Sequence, residues 1–218
     1  MNDTTLPAPF FIADDRALDF LNTLARPWGK EIDWLNSGPN LLNWLEKAGM
    51  APTAELTRFR EEIDLDECNA LAAQARELRE WFRSFVSTHA GQPLNSSAFA
   101  ELNELNHILA KDNNYPQIEV RNLHNQDQGV DKKEAPFLWK QQRRWDSPDT
   151  LLLPLAQAIG KFLCQNEFES VKRCKGPKCI LWFLDVSQNH TRHWCTMAIC
   201  GNRAKAAAYR KRKKHKAA

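Results

Sequence analysis

Apolar residues recur along this chain mostly at spacings of three and four, the pattern of helices that bury one face. Leu18, Leu21 and Leu24 share one side of a first short helix, capped by Asp14 or Asp15 and stopped before Arg26-Pro27, because the residue preceding a proline disfavours helical backbone. Leu41, Trp44, Leu45 and Ala48 mark a second helix closed by Gly49, and Leu56, Phe59 and Ile63 a third that begins at Thr53. Cys68, Leu71, Ala75, Leu78, Phe82 and Phe85 form the longest repeat. They follow Asp64 and Glu67, a capping box with Asp as the cap, and predict the central helix of the body. Phe99, Leu102, Leu105 and Leu109 predict a helix over 95–110, and Ser147-Pro148-Asp149 opens a last one through Leu152, Leu155, Ile159, Phe162 and Leu163. Two stretches break the helical period. Phe10-Phe11-Ile12 reads as a short strand; Ile118 with Val120, and Phe137 with Trp139, predict a small antiparallel hairpin whose polar tip over 122–134 is mobile.

The pattern changes character at Cys174. Four of the six cysteines, Cys174, Cys179, Cys195 and Cys200, stand as two Cys-x4-Cys pairs fifteen residues apart, with Gly176 and Pro177 supplying the first turn. Two such thiolate knuckles complete a four-cysteine site for one zinc ion, and four protein ligands leave no position for water, so the site is structural. Two disulfides, four free thiols, or His190 or His193 in place of a cysteine are the other readings of these residues. Cys68 and Cys164 lie in helical repeats and read as buried core thiols. Trp182 and Trp194 lie between and beside the ligands, where a small module needs apolar filling more than it needs faces for stacking on bases.

Charge divides the chain. From Val171 onward there are thirteen Lys/Arg and one acid, Asp185, whereas residues 1–170 hold 17 basic and 26 acidic residues, so a formal net charge of +3 hides an acidic body with a basic arm. The arm ends in Asn202-Arg203-Ala204-Lys205 and Tyr209-Arg210-Lys211-Arg212-Lys213-Lys214, a helix that Asn202 can cap, with Arg203, Ala206, Ala207 and Arg210 on one face. Such a helix anchored by metal fits a nucleic-acid groove.

Phe183-x-Asp185-x-Ser187-x-Asn189, then Arg192-x-Trp194-Cys195-x-Met197-x-x-Cys200-Gly201-Asn202-Arg203-x-Lys205, resembles the CGNR-type zinc finger over about the last fifty residues. His193 stands where that pattern has a second Arg. The segment Ala17-Leu18-Asp19-Phe20-Leu21-Asn22-Thr23-Leu24 resembles the opening of the ABATE domain that precedes such fingers. The resemblance implies a stress-responsive bacterial transcription regulator in which Cys174, Cys179, Cys195 and Cys200 take the zinc. It also implies that the Asn202-Arg203 helix meets DNA. On that helix Arg203, Lys205, Arg210, Lys211, Arg212, Lys213 and Lys214 are expected to contact phosphates; Arg192 or Arg203 is expected to read a base edge, because Arg can grip guanine bidentately.

The fold expected is mainly α with a small antiparallel β element: a helical N-terminal domain over 1–168, sensing a signal or dimerising, then a finger with its basic helix over 169–218. No stretch is apolar enough to span a bilayer and the N-terminus lacks a signal-peptide pattern, so the expectation is a cytoplasmic protein. No phosphate loop, Gly-x-Ser-x-Gly elbow or His-Glu-x-x-His occurs, and Asp14, Asp15 and Asp19 read as helix N-terminal acids, so no enzyme is expected. DNA is the expected partner, with a homodimer and a small-molecule effector on the N-terminal domain alongside it. Two other functions fit the same residues: an RNA- or ribosome-associated protein using the tail, and a small-molecule-binding or enzymatic body docked by the finger.

Overall fold

The computed structural model of the protein describes residues 6–26, 29–121, 135–165 and 167–216. Trp28 and the hairpin tip over 122–134 lie outside the described residues. Helices α1 (Arg16–Leu21), α2 (Gly38–Ala48), α3 (Thr53–Glu62), α4 (Leu65–His89), α5 (Asn103–Leu109) and α6 (Leu153–Gln165) build the body, and α7 (Asn202–Lys216) ends the chain. Three two-stranded antiparallel sheets accompany them: β1 (Leu24–Ala25) with β2 (Ile32–Asp33), β3 (Asn114–Val120) with β4 (Phe137–Arg143), and β5 (Val171–Arg173) with β6 (Trp182–Leu184).

The long amphipathic repeat becomes α4, capped where Asp64 accepts a hydrogen bond from the Glu67 amide at 2.8 Å. Its buried face, from Cys68 to Val86, meets α1, α2 and α6, with Phe82 edge-on to Phe162 at 5.8 Å and Phe85 edge-on to Phe168 at 5.9 Å. At the crossing of α2 and α4 only glycine fits position 38, since a Cβ there would lie 2.3 Å from the Cys68 sulfur. Arg79 is the one buried cation of this face. It grips Asp33 through two hydrogen bonds of 2.7 and 2.9 Å and reaches the Thr23 hydroxyl at 3.0 Å, tying α4 to the β1–β2 corner.

Several sequence expectations are corrected. Phe10-Phe11-Ile12 is not a strand, because the amides of Ile12 and Ala13 donate to the Asp19 carboxylate at 2.9 and 3.0 Å instead of to a neighbouring strand. Helix α1 stops at Leu21, before Leu24, because the Thr23 hydroxyl takes the Phe20 carbonyl and Asn22 turns its amide group elsewhere. The segments around 95–110 and 148–163 each open with a 3-10 turn, Ser96–Leu102 and Pro148–Leu152, before becoming α-helical, and Pro154 sits harmlessly in the first turn of α6. Cys164 is exposed rather than buried, since it stands about 200° round the helix from Phe162, whose face is the core.

One hydrophobic cluster runs from Ala13 through α1, α4 and α6 to Val171, Phe183, Cys195 and Cys200. The domain boundary expected at 168/169 is therefore not a break in packing. The β3–β4 hairpin is the exception to burial: Ile118 faces Trp139 and Val120 faces Phe137 across the strands, and these four are 60 to 72% exposed. No helix is long and apolar enough to cross a membrane among the described residues.

Candidate metal centre and the basic cleft beside it

Each knuckle is shaped by its own backbone. In the first, the Cys179 amide donates to the Gly176 carbonyl at 2.9 Å, and a Cβ at Gly176 would stand 3.0 Å from both the Cys179 Cβ and the Cys200 sulfur, so a side chain there would crowd the ligands. In the second, Cys195 is followed by a single π-turn, Met197–Gly201, whose start is capped by the Thr196 hydroxyl accepting from the Ile199 amide at 3.0 Å. The widened turn carries Cys200 toward the first knuckle. Asn202 is thus already inside the helical path. Helix α7 begins at Asn202 as expected, but the cap is Thr196, which corrects the expectation that Asn202 caps the helix.

The four sulfurs of Cys174, Cys179, Cys195 and Cys200 all lie within 4.8 Å of one another, close to the roughly 3.8 Å edge of a zinc–thiolate tetrahedron. Amides of Cys195 and Gly176 point at the Cys174 sulfur at 3.2 and 3.5 Å, the usual support for a ligand thiolate. As thiols alone, the four cannot share charge evenly. Hydrogen bonds from Cys179 and Cys195 pull Cys174 down to about 2, while the bond to Cys174 pushes Cys179 up to about 12. Its own bond to Cys174 raises Cys195, and burial raises Cys200. Four thiolates at this spacing need a cation between them, and a soft, closed four-sulfur set suits one structural zinc. His190 is not a ligand: its Nδ1 meets the Asp185 carbonyl at 2.9 Å and the Ser170 hydroxyl at 3.2 Å. The His193 ring is turned edge-on to Trp194, outside the sulfur cluster.

The residues between the knuckles hold the finger to the body. Asp185, fully buried, accepts from the Lys172 ammonium at 2.7 Å, the Arg192 amide at 3.0 Å and the Ser187 amide and hydroxyl. Burial alone would raise its pKa, but Lys172 and Ser187 and then the Arg192 amide hold the carboxyl well below the ordinary range. The Arg192 guanidinium lies 4.1 Å over the Phe183 ring. It donates to the carbonyls of Ile12, Cys195 and Trp194 at 2.8, 2.6 and 3.1 Å, and pairs with Asp14. With a fifth contact to the Leu184 carbonyl at 3.4 Å, every N–H group of this guanidinium is committed, so Arg192 is corrected from a base-reading residue to a brace between the N-terminal segment and the finger. Asn22 makes a second brace, its side-chain amide exchanging hydrogen bonds of 2.8 and 2.9 Å with the Trp182 backbone like one more strand residue. Of the acidic trio, Asp15 caps α1 at the Ala17 amide, Asp19 holds the Ile12–Ala13 backbone, and Asp14 takes Arg192.

Beyond the second knuckle α7 leaves the body, and its residues from Lys205 to Lys213 are exposed. Its face with Arg203, Ala206, Ala207 and Arg210 turns to the first knuckle across a cavity of about 590 Å³ floored by Leu181, Trp194 and Ile199. Lys175 and Lys178 line the opposite wall, with Arg26, which also holds Glu31 at 2.6 Å. Trp182 is buried and Trp194 half-buried. Lys205, Lys211, Arg212 and Lys213 are exposed along α7, whereas the Lys214 side chain lies outside the described residues. Periodicity missed Arg26, Lys175 and Lys178 as cleft residues; the density of cations around the first knuckle was the only sequence signal for two of them.

A family model described as "Putative stress-induced transcription regulator", ABATE, matches residues 14–166, and the CGNR zinc finger model matches residues 170–213. No curated protein matches the chain.

Proposed function

Because this chain belongs to the ABATE family and carries a CGNR zinc finger, we propose that it is a zinc-dependent DNA-binding transcription regulator. The observation that carries this reading is the basic cleft: zinc holds the first knuckle and the root of α7 together, so that Lys175, Lys178, Arg203 and Arg210 face one concave surface. Phosphates can be neutralised from both walls, and α7 presents Lys205, Lys211, Arg212, Lys213 and Lys214 along its remaining length. On this reading Arg203, at the start of the helix, reaches a base edge, and Asn202 beside it bonds a phosphate or an adenine. The acidic body turns away from the polyanion, and the whole acts in the cytoplasm without catalysing a reaction.

One short basic helix discriminates sequences weakly, so a regulator built this way works as a pair. We assign the second copy to the exposed hairpin face. Ile118, Val120, Phe137 and Trp139 are apolar, and their face can meet its own image without charge repulsion, the Glu119–Lys140 pair lying on the other side. Trp139→Asp should then convert a sedimenting dimer to monomer; a wild-type protein that stays monomeric at about 100 µM removes this assignment.

The decisive experiment is selection from a random duplex library with zinc-loaded full-length protein at moderate salt. Enrichment of a defined site, two-fold symmetric if the protein pairs, supports the regulator. Salt-sensitive binding without an enriched sequence, together with tighter binding to structured RNA, supports the RNA-associated reading instead.

A further inference from the structure

A cavity of about 610 Å³ opens in the body between α4, α5 and the 3-10 turn Pro148–Leu152, and it shares no lining residue with the zinc site or the basic cleft. Its floor is apolar, formed by Leu78, Ile108, Leu152 and Leu153. Half-buried Trp81 lines it as well and is held in place by stacking on Phe82 at 6.5 Å and leaning on Phe85 at 5.9 Å. Each of the three walls contributes one exposed carboxylate: Glu77, one turn before Trp81 on α4; Glu104 on α5; and Asp149 on the turn. None of the three has an ion-pair partner among the described residues, although similar acids elsewhere on the body, such as Glu46 and Glu55, do. Lys111 is the single Lys or Arg in the lining, and His107 stands beside it.

We propose that this cavity binds an amphipathic organic cation, an ammonium group carried on a compact apolar body. The apolar body fills the floor, where burial of nonpolar surface drives binding. The ammonium rests on the indole face of Trp81, which attracts cations, and the three carboxylates add a field that one lysine does not cancel. A bare metal ion gains nothing from the floor, and an anion meets the wrong field. That such a ligand acts as the effector of transcription rests on the regulator reading above; that it binds does not.

The probes are benzyltrimethylammonium, neutral benzyl alcohol and anionic benzenesulfonate, titrated into zinc-loaded full-length protein and followed by calorimetry and by the Trp81 indole N–H resonance, assigned with Trp81→Phe. The cation should bind saturably, shift that resonance, and be favoured over benzyl alcohol by about tenfold. Trp81→Leu should weaken it by about 2- to 30-fold, and Glu77→Gln and Glu104→Gln, exposed changes that leave the melting temperature unmoved, should each weaken it further. Equal affinity for benzenesulfonate or benzyl alcohol, no saturation by about 10 mM, or binding that leaves the Trp81 resonance in place would overturn the proposal. Cation binding that changes DNA affinity supports the effector role; cation binding with DNA affinity unchanged leaves the site standing and removes that role.

Discussion

Replacing Asp185 by Asn keeps the shape of the finger core but leaves Lys172 and the Arg192 amide facing a neutral group at a fully buried position. The expected cost is about 2–4 kcal/mol in a denaturation experiment. The same residue sets an acid limit. Its pKa is depressed in the folded protein, so its contribution is complete above the ordinary aspartate value near 3.9 and is lost as pH falls below that toward the folded value. Urea melts should therefore show the wild type losing stability across that acid window, and Asp185→Asn losing less there. Arg192 gives the sharper test of role. As a brace, Arg192→Ala lowers stability by about 2–4 kcal/mol, and Arg192→Lys rescues little because an ammonium cannot reproduce the planar set of donors to Ile12, Trp194 and Cys195. A loss of DNA affinity with an unchanged melt would contradict that role.

At the scale of elements, α7 is exposed from Lys205 to Lys213, so its Ala, Lys and Arg content carries its helicity. Its cations should act as counterion-releasing contacts. With six to eight phosphates neutralised, affinity should fall by roughly three to five decades between low and moderate salt, and Lys211→Ala, Arg212→Ala and Lys213→Ala together should flatten the log–log slope by about 0.9 per lost cation. Binding isotherms at four salt concentrations decide this, and a flat response removes α7 from the interface. In the first knuckle, Gly176→Ala should weaken zinc retention against a competing chelator, since the added methyl presses on the Cys200 sulfur at 3.0 Å.

For the whole molecule, finger and body share a core. Asn22 binds Trp182, the Leu184 amide donates to the Ala13 carbonyl at 2.9 Å, and Arg192 reaches Ile12, so the ABATE opening segment and the finger hold each other in place. Zinc removal should therefore lower the melting temperature of the entire chain by roughly ten degrees or more in one transition, rather than melt a separate small module. Calorimetry with and without a zinc chelator would detect it. Two resolved transitions, with the body's unmoved, would mean that the shared core carries little energy.

The sequence alone determined most of the helices, because a buried face repeats every three or four residues, and it determined the zinc ligands, because Cys-x4-Cys pairs have few other uses. The motif Phe183, Asp185, Ser187 and Arg192 was equally visible as a string, but its meaning was not: a pattern does not tell whether an Arg faces solvent or spends its donors on nearby carbonyls and on one 180 residues away. Tertiary structure decided that, and it decided that Asp19 would displace a strand at Phe10–Ile12 and that Cys164 would face outward. It also assembled the basic cleft from Arg26, Lys175 and Arg203, and the cavity beside Trp81 from three separate segments. Local periodicity records which side of an element is buried; which partner buries it, and which polar groups are used up in doing so, depends on contacts between distant parts of the chain.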